Sequence, residues 1–284
     1  MNNMKKILIT GANSYIGTSF EGYMKQYDGE YQIDTVDMID GSWREKSFSG
    51  YDCIFHVAGI AHRKETKENE ELYYKVNRDL TVEVASKAKD DGVFHFIFLS
   101  SMSVYGMITG EISKETVPCP NTHYGKSKLQ AEKKIEELAS DSFKISILRP
   151  PMVYGKDCTG NFKSLVNITK KTCIFPKINN KRSMIYIDNL CSFVKLVVDK
   201  AMDGVLVPQN KEYANTSSIV KWIAKATNKK MYLSVLLGIA VKVLSLVFKK
   251  AKKAFGSLIY VDESGELDYN VCSLEESIVR SVGE

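Results

Sequence analysis

ILITGANSYIG, residues 7–17, decides how this chain is read. An apolar run stops at Gly11, a second glycine follows at Gly17, and a helical pattern takes over there. In a turn that binds a dinucleotide, one glycine makes the tight bend and a second lets the backbone approach the pyrophosphate. A third lets helix and strand pack closely. Gly11 and Gly17 fill the outer roles, and Ser14 stands at the middle position. The serine hydroxyl can bond a phosphate oxygen, and the helix beginning near it offers unpaired N–H groups and a positive dipole end. The expected cofactor-binding residues are therefore Gly11, Asn13, Ser14, Tyr15, Ile16 and Gly17. Alone the turn is a weak signal, because glycine-bearing strand-to-helix turns are common.

Outward from this turn, strand-like and helical runs alternate. Residues 6–10 read as a strand, 15–27 as a helix, 31–37 as β-rich and 53–57 as a buried strand. A helix over 68–90, a strand over 93–100 (VFHFIFLS), an amphipathic helix over 126–139 and a strand over 144–148 follow. Alternating units with apolar strands imply an α/β fold, a doubly wound parallel sheet of the Rossmann type with helices on both faces. After Arg149-Pro150-Pro151 the pattern loosens, and a smaller C-terminal α/β substrate-binding region is expected. The division expected is 1–151 for the cofactor domain, with 183–208 returning to it, and 152–182 with 209–284 for the substrate region.

Asp37 ends the second strand about twenty residues after the turn, where an acid bonds the adenosine ribose 2′-OH. It would repel a 2′-phosphate, and Met38-Ile39 supplies no arginine to receive one. NAD(H) is favoured over NADP(H), which stays open. Asp34 and Asp40 compete for the role, and any of the three can be a solvated surface charge.

Composition narrows the field. The chain has 284 residues, 44% hydrophobic and 26% charged, with a net charge of +5 and no long basic tract, so nucleic acid is not an expected partner. Six scattered cysteines form no CxxC and no zinc-ligand spacing, so no metal is expected and the thiols fit a reducing compartment. The apolar run near the N-terminus is too short for a signal segment, and a cytoplasmic protein is expected. MYLSVLLGIAVKVLSLVF, residues 231–248, followed by KKAKK, is marginal in length for a membrane span and carries Lys242. It reads as a buried or amphipathic helix of the second region. The alternative is a peripheral membrane association through 231–253, with the basic tail facing anionic lipid.

Tyr124 and Lys128, in YGKSK, lie on one helix face at i, i+4 spacing. A tyrosine titrating near pH 10 is a poor acid–base at neutrality; a nearby ammonium and a cationic nicotinamide would lower that value. Upstream, FLSSMSVYG (98–106) ends a strand at the sheet edge where ligands bind. A serine there can bond a substrate oxygen and share its proton with Tyr124.

Together with TGANSYIG, HVAGIAH (56–62), VNRDLT (76–81), LRPPMVYG (148–155) and RSMIYIDNL (182–190), these residues resemble the extended short-chain dehydrogenase/reductases, the NAD-dependent nucleotide-sugar epimerase/dehydratase family. Ser14 is the departure from its pattern. The resemblance implies Tyr124 as acid–base, Lys128 as its electrostatic and ribose-binding partner, and Ser101 as the catalytic Ser/Thr. It implies Ala58, Gly59, Asn77, Ser100 and Pro150 along the cofactor. For the substrate it implies Ser101, Ser103 and Tyr124, with Arg182 on the diphosphate and Asn161 as a second polar contact. Family members commonly form homodimers through two helices, here 68–90 and 126–139.

Family dehydratases carry an Asp-Glu pair after the catalytic Ser/Thr; Met102 and Ser103 stand there, and neither can eliminate water. Runs such as RPPMVYGKDCTGNF and FPKINNKRSMIYIDNLCSFV are similar to a bacterial polysaccharide subgroup. That similarity implies a reductase acting on a UDP-4-keto-6-deoxy-N-acetylhexosamine. A UDP-sugar 4-epimerase with tightly held NAD is the alternative, and a non-catalytic nucleotide-binding module is a third reading.

Overall fold

The computed structural model describes residues 4–61, 65–261 and 267–283. His62, which closes HVAGIAH, lies outside them, as do the first three residues and the last of the expected division. In chain order the elements begin β1 (Lys5–Thr10), α1 (Tyr15–Met24), β2 (Tyr31–Val36), β3 (Cys53–His56), α2 (Glu70–Tyr74), α3 (Leu80–Asp90) and β4 (His95–Leu99). They continue β5 (Gly110–Ile112), α4 (His123–Glu136), β6 (Lys144–Leu148), β7 (Met152–Tyr154), α5 (Asn161–Lys171), β8 (Ile174–Pro176) and β9 (Met184–Tyr186). The last are α6 (Ile187–Lys200), β10 (Gly204–Leu206), α7 (Thr216–Ala226), β11 (Tyr232–Ser234), α8 (Val235–Val247), α9 (Lys249–Phe255), β12 (Leu258–Tyr260) and α10 (Leu274–Val282).

The chain divides into two units. The first holds residues 1–106, 118–150 and 190–208. Its core is a six-stranded sheet in the order β10-β6-β4-β3-β1-β2, parallel at every pairing. Strands β3 and β4 are buried throughout, as strands covered on both faces must be. The order reverses at β1, which pairs with β2 on one side and β3 on the other. The crevice beyond the carboxyl ends of β1 and β3 is thus the switch point where open α/β sheets bind ligands.

The helix expected over 68–90 is three pieces. A five-residue π segment, Lys75–Asp79, separates α2 from α3 and carries the buried Asn77. The tyrosine helix starts earlier than its amphipathic pattern suggested, because Thr122 caps it by accepting from the Gly125 N–H at 3.1 Å.

The second unit holds residues 107–117, 151–189 and 209–284. Three two-stranded sheets build it, β5 with β12, β7 with β9 and β8 with β11, all parallel. Two expected boundaries change for that reason. Residues 107–117 leave the first unit because Gly110–Ile112 pairs with Leu258–Tyr260, and 183–189 stays in the second because Met184–Tyr186 pairs with Met152–Tyr154. Among the described residues no helix is long and apolar enough to cross a membrane.

Candidate active site

At the end of β1 the chain bends back on β2: the N–H groups of Gly11 and Ala12 both donate to the Val36 carbonyl, at 3.0 and 3.1 Å. Gly11 has φ +108, and a Cβ there would come within 2.7 Å of the Ala58 nitrogen, so only glycine fits. Asn13 takes the left-handed conformation (φ 63), which asparagine tolerates. Ser14 is the N-cap of α1, its Oγ accepting from the Gly17 N–H at 3.2 Å. A Cβ on Gly17 would meet that oxygen at 2.7 Å and the Ile9 and Val57 methyls at 3.2 Å. Ser14 therefore spends an acceptor position on holding the turn. Tyr15 and Ile16 form the first turn of α1, and acidic residues are absent from that turn, which leaves its positive end unneutralised.

Asp37 directly follows β2 and accepts from the Ile39 N–H at 2.6 Å. Its competitors are otherwise engaged, Asp34 by the Tyr51 hydroxyl at 2.9 Å and Asp40 by the N–H and hydroxyl of Ser42.

Ser101 caps the short turn Met102–Tyr105, its Oγ accepting from the Ser103 N–H at 3.1 Å and donating to the Ser103 Oγ at 3.2 Å. Helix α4 presses on this turn. A Cβ on Gly125, the residue after Tyr124, would lie 2.6 Å from the Ser103 carbonyl oxygen. That close approach sets the Tyr124 phenol against Ser101. Burial pushes Tyr124 above its ordinary value; the Ser101 hydroxyl pulls it back, and Tyr73 adds to the rise. The downward shift expected for this tyrosine is thus not present in the protein alone. Its ring meets Tyr73 edge-on, centroids 6.4 Å apart.

One turn on, Lys128 is buried, donates to the Leu99 carbonyl at 2.8 Å and lies 4.5 Å from the Phe98 ring centre. Burial draws its amine down to about 7, against the opposing charge of Glu132. Gly59 lies over the ammonium: a Cβ there would approach Nζ to 3.3 Å and the Asn77 Oδ1 to 3.0 Å. Asn77 is fully buried, accepting from the Ile60 N–H at 2.8 Å and donating to the Ile60 carbonyl at 3.1 Å and the Ser127 Oγ at 3.2 Å. It ties the loop after β3 to α4. Ser100 is likewise turned inward. Its hydroxyl donates to Glu132, and Pro150 is buried behind it with its carbonyl accepting from the Met102 N–H at 2.9 Å.

Several contributors went unread in the sequence. Glu132 pairs with Arg149 at 2.6 Å, their side chains only 1% and 10% exposed, and Arg149 donates to the Tyr105 hydroxyl at 3.0 Å. The i, i+4 spacing of Lys128 and Glu132 was the available signal. His56 joins β1 to α3 through Thr10 Oγ1 (2.7 Å) and Thr81 Oγ1 (3.1 Å). Thr81 donates onward to the Asn77 carbonyl. Nε2 must then carry the proton and Nδ1 accept from Thr10. Burial, aided by the Lys128 charge, keeps the ring neutral, its value lowered to about 3. Glu65 accepts from the Tyr124 N–H at 3.0 Å.

In the second unit, Asn161 is exposed at the first position of α5. Arg182 donates from Nη1 to the carbonyls of Lys253 and Gly256, both at 3.0 Å. Burial alone lowers its value, and among the described residues no carboxylate pairs with it. No group of metal-ligating side chains occurs among the described residues.

The residues present fit a dinucleotide. The Gly11–Ala58 approach leaves bare backbone at the switch point, the α1 N-terminus is open to an anion, and Gly59 keeps space over a buried ammonium. Comparison with known proteins agrees. Residues 7–214 match the model of the NAD dependent epimerase/dehydratase family. UDP-glucose 4-epimerase of Vibrio cholerae is 29% identical over 96% of this chain and 90% of that protein. A UDP-2-acetamido-2,6-beta-L-arabino-hexul-4-ose reductase of Pseudomonas aeruginosa is 28% identical over 73% of this chain and 54% of its own length. The crystal structure of the UDP-glucuronic acid 4-epimerase from Bacillus cereus with NAD shares the fold, with a TM-score of 0.74 at 20% identity over 98% of this chain and 95% of that one. The chain belongs to the NAD dependent epimerase/dehydratase family, and so to the NAD(P)-dependent epimerases and reductases of nucleotide sugars.

Proposed function

We propose that the protein is a nucleotide-sugar 4-keto reductase acting on a UDP-4-keto-6-deoxy-N-acetylhexosamine. The observation that carries this reading is the Ser101–Tyr124–Lys128 arrangement: the Tyr124 phenol meets the Ser101 hydroxyl, with buried Lys128 one helical turn on, a set of groups able to deliver a proton to a developing alkoxide. When bound, NAD(P)H supplies the hydride that reduces C4. Ser101 orients the C4 oxygen, and the Tyr124 hydroxyl donates its proton to that oxygen as negative charge develops there. Lys128, buried and cationic at or below neutral pH, stabilises the phenolate left behind and offers N–H groups to the nicotinamide ribose. Gly11, Ala12 and the α1 N-terminus would hold the pyrophosphate, and Asp37 the adenosine ribose. Met102 and Ser103 offer no acid–base pair for dehydration. Arg182, half-buried and without a carboxylate partner among the described residues, suits a diphosphate, with Asn161 and Ser103 as further polar contacts. The Pseudomonas relative, a reductase of a UDP-linked 4-ketohexose by its name, supports the substrate class.

The Vibrio relative, matched along nearly its whole length, favours a second reading, a UDP-sugar 4-epimerase with retained NAD. Incubation with UDP-2-acetamido-4-keto-2,6-dideoxyglucose and NADH or NADPH separates the two. A reductase oxidises added cofactor in step with keto-sugar consumption. Interconversion of UDP-sugars without added cofactor would instead establish the epimerase.

A further inference from the structure

Helix α8 is built inside out. Its small and half-buried residues, Gly238, Val241 and Ser245, face the protein, and a Cβ on Gly238 would lie 2.3 Å from the Lys177 carbonyl oxygen. The opposite face carries Leu236 at 80% exposure, Val243 at 56%, Leu246 at 83% and Val247 at 75%. None of its residues is buried. An apolar face this continuous marks an interaction site. The helix rises only about 20 Å over its length, short of the roughly 30 Å hydrocarbon layer, so it can lie in a bilayer surface but not cross it.

Charge identifies the occupant. From Tyr213 to Val261 the chain holds nine lysines and no Asp or Glu. Four of them, Lys249, Lys250, Lys252 and Lys253, are exposed on α9, directly after the apolar face. Lys242 sits at the edge of that face, where its stem can lie along lipid while its ammonium reaches water. A second copy docked through α8 would cover the apolar face but offer the lysines no counter-charge from this acid-free stretch, whereas an anionic surface meets both features at once.

We propose that α8 and α9 form an interfacial anchor, with the Leu236/Val243/Leu246/Val247 face inserted among the acyl chains of an anionic bilayer and the α9 lysines on its headgroups. Flotation of the full chain with phosphatidylcholine vesicles, with and without phosphatidylglycerol, tests it. Co-flotation is expected only with the anionic vesicles. At about fivefold per lysine, Lys249→Gln/Lys250→Gln/Lys252→Gln should weaken it about a hundredfold. Val243→Glu/Leu246→Glu should abolish it while the circular dichroism spectrum stays that of the native protein. The proposal is overturned by equal binding to neutral vesicles, by no binding to either, or by binding indifferent to both variants. It is also overturned if the protein ignores vesicles and forms a dimer that Leu246→Glu dissolves.

Discussion

Replacing Glu132 by Gln should destabilise the protein by about 3–5 kcal/mol, the cost of leaving one member of a buried ion pair without its counter-charge. The Arg149 guanidinium would remain almost fully buried facing a neutral amide, with the Lys128 ammonium one helical turn away. For a chain of this size that corresponds to a melting temperature lower by on the order of 10 °C. Calorimetry or urea titration reads the stability. A second effect is chemical. Glu132 is the charge that opposes burial at Lys128, so its removal should carry the lysine below its present value of about 7. The alkaline limb of the kcat/KM profile, where Lys128 loses its proton, then moves to lower pH. Glu132→Gln/Arg149→Met removes both charges and should recover most of the stability, yet leave that limb displaced. A single variant as stable as wild type, or a pH profile that follows stability in all three proteins, would mean that Glu132 neither balances Arg149 nor holds up the Lys128 amine.

Tyr124→Phe should lower turnover of the keto-sugar by about 10²–10⁴, the usual contribution of a general acid, with NAD(P)H affinity nearly unchanged by fluorescence titration. A fully active variant would remove Tyr124 from the chemistry. Gly125→Ala, which would favour an ordinary helix, should here lose about 1–3 kcal/mol and activity with it, because its Cβ meets the Ser103 carbonyl. Gly22→Ala, with open space around it, is the control and should stabilise by about 0.4–1 kcal/mol. Stability should also fall as the pH drops below about 6.5. An unfolded histidine binds a proton there, while buried His56 binds one only near 3, so the unfolded state gains protons first. The loss grows to roughly 5 kcal/mol by the acid end of that window. Urea midpoints identical at pH 7 and pH 4.5 would contradict it.

What could be read in advance followed the periodicity of the signals. The parallel sheet was legible because β1, β3, β4 and β6 are apolar runs bounded by turns, and the shared helix of Tyr124 and Lys128 because their i, i+4 spacing lies in an amphipathic pattern. The three-residue strands of the second unit are too short for an alternation to register, so its pairings and the place of residues 107–117 emerged only from the structure. Glu65, His56 and the Ser100–Glu132–Arg149 network act as single residues whose partners lie far along the chain. Helix α8 is the clearest lesson. Its apolar pattern shows an amphipathic or buried helix, but which side packs on the protein was set by Gly238 and Ser245, and its large side chains face outward.

The most direct test of the reductase assignment is a single-turnover experiment. Purified protein is mixed with UDP-2-acetamido-4-keto-2,6-dideoxyglucose and NADH deuterated at the transferring position of C4, with NADPH in parallel, and the product is examined by NMR. One equivalent of cofactor should be oxidised per sugar, with deuterium at C4 of the product. Absence of oxidation with either cofactor, together with epimerised UDP-sugar formed from the protein alone, would contradict the reductase assignment.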